Sequence, residues 1–227
     1  MHIEPGLVDG AKMAVGYVTA AGVLGLTMNR ALTTIFRGNL SRLMMGTAVT
    51  TLMTLVAFQM LPHPTVGVSE VHLILGSTLL LLFGMAPAGL GMALGLLLQG
   101  LLFEPADLAQ YGMNVTTLLA SLVATSLVAK RLISKQEIYV DLSYEKVIKL
   151  SLVFQGSIVA WVAFWVTLGQ GMSVATMQDV AKFATAYLIV IAIEVLVSVV
   201  LLSLFKASQS GIYRSVMNPR LFRAQLN

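Results

Sequence analysis

The chain has no cysteine and few charges: Asp, Glu, Lys and Arg make up 11% of its 227 residues. Without thiols it forms no disulfide and no thiolate metal site, so any metal must be held by nitrogen and oxygen. A water-soluble domain carries roughly a quarter charged residues. At 57% hydrophobic residues and a mean hydropathy of +0.87, this chain cannot wet a surface, and lipid must be its solvent. Motifs that drive chemistry are missing too. There is no Gly-x4-Gly-Lys-Ser/Thr phosphate loop, because Gly6 to Lys12 has the wrong spacing, so the chain has no ATPase site of its own. It also lacks a Gly-x-Ser-x-Gly elbow and a His-Glu-x2-His pair, which argues against an enzyme. The formal charge of +4 is dispersed in short clusters between apolar runs, a pattern that sets topology and does not suit nucleic acid.

Seven apolar segments are present, at about 11–28, 43–61, 71–86, 88–103, 111–129, 147–168 and 183–205. A hydrocarbon core of about 30 Å takes about 20 residues of helix. The expectation is an all-α, multi-pass integral membrane protein with about seven transmembrane helices. Residues 1–206 form a single polytopic domain with a metal-binding N-terminal segment (1–10), followed by a cytoplasmic tail (207–227) to which no role is given. The stretch from His72 to Phe103 is too long for one straight span and short for two, and Gly84, Pro87 and Gly89 favour a break within it. With seven helices and the N-terminus outside, every Lys and Arg except Lys12 and Lys182 collects on the cytoplasmic side, better than any six-helix arrangement allows. Glu4, Asp9, Glu70, Glu104, Asp107, Asp179 and all three histidines then share the outer face. Glu4 and Asp9 near the start argue that the N-terminus is retained and is not a cleaved signal. Small-residue pairs spaced by four, such as Gly91 and Gly95, mark close helix packing, within this chain or toward a partner.

The chain opens Met1-His2-Ile3. A free terminal amine, the amide nitrogen between residues 1 and 2 and the His2 Nδ1 can close fused five- and six-membered rings around one metal. Nickel(II) and copper(II), which favour tetragonal nitrogen fields, are best able to displace the amide proton. A fourth planar nitrogen completes the set. His63, between Pro62 and Pro64, and His72, at the expected start of the third helix, are the candidates, with His72 the better placed. Glu194 is the carboxylate nearest the middle of an apolar run. At that depth it is either functional or a hydrogen-bonded lock between helices.

The opening Met-His-Ile, the Val71-His72-Leu73 element with Gly67 and Ser69 ahead of it, Gln99-Gly-Leu-Leu-Phe103 and Tyr111-Gly-Met-Asn114 together resemble the cobalt and nickel substrate-binding family (CbiM and NikM) of energy-coupling factor transporters. The likeness runs in order from residue 1 to about 120. One departure is Glu4-Pro5-Gly6, where family members commonly have a variable residue, an acid and a glycine. The resemblance implies Met1, His2 and His72 as metal ligands, with Gln99 and Asn114 as supporting polar residues. It implies Ni2+ or Co2+ as the transported substrate, with no organic cofactor. It also implies a transmembrane coupling subunit, ABC ATPase subunits and a small auxiliary membrane subunit as partners, in a bacterial or archaeal inner or plasma membrane. The alternative is a secondary carrier or channel for a small solute, working through Glu194.

Overall fold

In lipid every backbone N–H and C=O must find a partner inside the protein, and long helices meet that demand locally. The computed structural model describes residue 3, residues 6–208 and residues 211–223. Its main elements are α1 (Met13–Phe36), α2 (Leu40–Gln59), α3 (Gly76–Phe83), α4 (Met85–Leu102), α5 (Tyr111–Leu132), α6 (Tyr144–Gln170), α7 (Val174–Ala207) and α8 (Gly211–Val216). A short hairpin, β1 (Thr65–Val66) paired antiparallel with β2 (Ser69–Glu70), lies between α2 and α3. Among the described residues, six of these helices are long and apolar enough to cross a membrane. The other two are α8, of six residues, and α3, whose eight residues reach only about 12 Å.

The third expected span, 71–86, is therefore helical in its second half only. Residues 71–75 are non-helical, and α3 follows. Non-helical backbone within a membrane is tolerated only where protein surrounds it. All eight residues of α3 are buried, as are Val71, His72 and Ile74 before it. The expected break falls at Gly84, whose φ of +86° and ψ of 173° belong to a region that side chains essentially exclude. Here the chain reverses into α4.

Helix association in lipid relies on close packing and interhelical hydrogen bonds, since lipid tails are as apolar as leucine. α4 lies along α2, where the backbones of Gly91 and Gly95 sit against Thr50 and Thr54, and Thr50 Oγ1 donates to the Pro87 carbonyl at 2.7 Å. This glycine pair therefore serves packing within the chain. α5 and α6 meet through Leu118, Leu122, Phe154, Ile158 and Trp165, all fully buried, with Trp165 Nε1 donating to Thr117 Oγ1 at 3.0 Å.

The C-terminal stretch returns to the bundle and does not trail as a tail. Asn218 N–H donates to the Leu82 carbonyl at 2.7 Å, and Met217 and Leu221 are buried in the main core. The Arg220 guanidinium lies 5.0 Å over the Tyr139 ring and donates to the carbonyls of Ile133 and Ser134. These contacts sit at the end of the bundle where α1 finishes, α2 and α4 begin and the basic residues collect.

Replacing Gly84 with Ala tests the break. A Cβ there meets nothing nearer than Asn218 Nδ2 at 3.5 Å, so the cost is backbone strain and not crowding. Gly84→Ala should lower stability by about 1–3 kcal/mol, read as a lower thermal midpoint in detergent. An unchanged midpoint would show that the chain can turn here without the glycine.

Candidate metal centre

His72 lies on the non-helical stretch, four residues ahead of α3, and not at a helix start as the sequence suggests. The cause is the backbone around it. Val71 N–H donates to the Pro64 carbonyl at 3.0 Å, continuing the hairpin ladder, and Ile74 N–H turns back to the His72 carbonyl. A helix cannot begin until Gly76, where the Phe154 ring crosses so closely that an added Cβ would come within 2.0 Å of it.

His72 is fully buried. Its ring packs on Phe58, with centroids 4.5 Å apart, and stacks parallel to the His63 imidazole at 5.1 Å with 2° between the planes. Its Nε2 is 3.5 Å from Glu70 Oε2, and His63 Nδ1 is 3.7 Å from Glu70 Oε1. The ligand atoms of His63, Glu70 and His72 all lie within 4.8 Å of one another. Two imidazoles and a carboxylate are a donor set suited to a borderline divalent transition ion. The fold thus brings together two of the histidines nominated by the sequence and adds Glu70, which sequence reading left among surface acids.

Ile3 reaches the hairpin beside this cluster. It forms an antiparallel bridge with Ser69, and its N–H donates to Asn114 Oδ1 at 3.0 Å. Ile3 itself is fully buried. Asn114, which the resemblance names as a supporting residue, holds the backbone of Ile3. Met1 and His2 lie outside the described residues. Gln99, in the last turn of α4, is buried, and its Oε1 has no hydrogen-bond partner among the described residues.

Glu194 sits on α7 and is fully buried. Its Oε1 accepts from the Ser77 N–H at 2.9 Å and the Ser77 hydroxyl at 3.0 Å, while Oε2 accepts from Ser151 at 2.6 Å and Gln155 Nε2 at 2.9 Å. The same Gln155 Nε2 donates to the Ile74 carbonyl at 2.8 Å. A helix that starts in the middle of a membrane exposes unpaired N–H groups and the positive end of its dipole. Glu194 answers both for α3, and through Gln155 and Ile74 it also holds the stretch that carries His72. One turn further along α7, Ser198 meets Thr78 at 2.5 Å. Sequence reading missed Ser77, Ser151 and Gln155. Their one signal was polarity inside apolar runs, but their convergence from α3 and α6 is purely tertiary.

A family described as the cobalt uptake substrate-specific transmembrane region, CbiM, matches residues 2–212. The chain belongs to the CbiM family. Comparison with curated proteins and with solved structures returns no match. The CbiM match spans nearly the whole chain, including the hairpin, the broken span and all seven long or half-length helices up to α7. It agrees with a multi-pass membrane component of cobalt uptake and extends the likeness well beyond residue 120.

Glu194→Leu removes the acceptor for several buried donors at once. Each orphaned buried group costs about 1–3 kcal/mol, so the variant should lose at least about 3 kcal/mol and unfold at a much lower temperature, whereas Glu194→Gln keeps one acceptor and should lose less. Equal thermal midpoints for Glu194→Leu and the parent protein would remove Glu194 from the anchoring role.

Proposed function

We propose that this CbiM-family chain is the substrate-binding membrane component of an energy-coupling factor transporter that imports Co2+ or Ni2+. The observation that carries this reading is the meeting, at the end of the bundle opposite the basic cluster, of buried His72 with His63, Glu70 and an N-terminal segment pinned at Ile3 by Asn114. The ligands are the Met1 amine, the His2 amide nitrogen and Nδ1, and His72 Nε2. His63 and Glu70 border the site. The metal is cargo, bound from outside and released inward when partners hydrolyse ATP.

Orientation follows from charge. Lysines and arginines gather at the end where Gly84 and Asn218 meet, which the positive-inside rule makes cytoplasmic. The N-terminal segment is then outside and the C-terminal segment inside. A transmembrane coupling subunit, ABC ATPases and a small auxiliary membrane protein supply energy and assembly. The chain itself is no enzyme. Its membrane is a bacterial or archaeal inner or plasma membrane.

Metal binding to the purified chain tests the reading. With an authentic Met1 terminus, Ni2+ should bind with a planar-site absorption spectrum. One extra N-terminal residue, or His72→Ala, should abolish that spectrum. Asn114→Ala, which leaves the ligands intact but frees the backbone beside them, should weaken binding roughly 10–100-fold. If the extended terminus binds equally well, the terminal chelate is wrong. If uptake also survives the extension and fails only in Glu194→Gln, the chain is a carrier working through its buried carboxyl.

A further inference from the structure

At the basic end of the bundle, the close of α1, the starts of α2 and α4 and the returning C-terminal segment enclose a cavity of about 540 Å³. Its walls include five arginines, Arg30, Arg37, Arg42, Arg220 and Arg223, and no carboxylate. The ion pairs that the described residues form use lysine or histidine, and none engages these five. Arg220 is about nine-tenths buried, and its Nε has no hydrogen-bond partner among the described residues. The same is true of Arg42 Nε, although Arg42 also donates to Asn39 Oδ1 at 2.7 Å. Positive-inside topology explains why basic residues lie at this end. It does not explain why five arginines line one hollow that has no carboxylate among the described residues.

Planar guanidinium forks match phosphate oxygens, and basic pockets between transmembrane helices at the membrane boundary suit phospholipid headgroups. We propose that this cavity binds a phosphate group, presented by an anionic membrane phospholipid. The flanking surface supports the lipid as its source. Phe36 (84% exposed), Leu40 and Met44 stand on the outside of the α1–α2 corner, interleaved with Arg37 and Arg42, where acyl chains would lie. Because Asn218, Arg220 and Arg223 come from the C-terminal segment, the bound lipid would join that segment to the α1–α2 corner. This site is remote from the metal centre and independent of the metal reading.

The test uses the full-length chain in bilayers of zwitterionic phosphatidylcholine doped with anionic phosphatidylglycerol. Anionic lipid retained per chain is measured by native mass spectrometry, together with the thermal midpoint. The parent should retain phosphatidylglycerol and be stabilised by it. The double variant Arg37→Gln/Arg42→Gln should bind it roughly thirtyfold more weakly, the effect of losing two cationic contacts, and Arg30→Gln should weaken it less. Lys182→Gln, at the opposite end, should match the parent. Equal retention by a folded double variant overturns the site. Displacement of the lipid by inorganic phosphate alone overturns the lipid as the source. Unaltered lipid retention with lost binding of the partner ATPases assigns the cavity to a protein and overturns the proposal.

Discussion

The structure depends on how a broken span is satisfied inside a bilayer. Between α2 and α4 the chain runs as non-helical backbone followed by an eight-residue helix, so N–H and C=O groups must be satisfied from within the protein. Glu194, Ser77, Ser151 and Gln155 close that account from three helices. A carboxyl group at this depth is costly in isolation. Here it faces only donors, one of them the first turn of α3, so its burial and the buried helix start offset each other.

That arrangement explains how a candidate ligand can stand on irregular backbone and still be positioned. His72 is held from one side by the ladder to Pro64 and from the other by Gln155 on Ile74. Ile3 is likewise pinned, by Asn114 from α5 and by the bridge to Ser69. Each is held to a helix through one amide side chain.

The opposite end is organised by different forces. The C-terminal segment is stitched to the bundle by Asn218 on Leu82 and by Arg220 on the carbonyls beyond α5, so cationic side chains double as caps for helix ends. Burial pushes the Tyr139 phenol above its ordinary range, and the Arg220 guanidinium beside it only partly opposes that shift. Coupling to any partner on this face passes through a surface that is already folded.

Much was legible from the residues alone, because bilayer thickness leaves few choices. Six of the seven apolar runs became long helices and the third became the short α3, and Gly84, one of three residues nominated for a break, is where the chain turns. The Met-His opening and the Val-His-Leu element marked the family, which the match over residues 2–212 carries through the chain. Asn114 was legible as a candidate, although not its bond to Ile3. His72 was legible as a candidate, but its non-helical backbone was not, since an apolar run of Val, Leu and Ile does not by itself tell a helix from other buried backbone. Glu70, the stacking of His63 on His72 and the donors around Glu194 come from positions distant in sequence or lost among similar residues, with no periodicity to link them. Composition and hydropathy therefore determined the solvent and the long helices, and short motifs marked the family, because each is written in local sequence. Tertiary structure alone decided where backbone could leave the helix within the bilayer, because that required polar side chains from other helices to meet it.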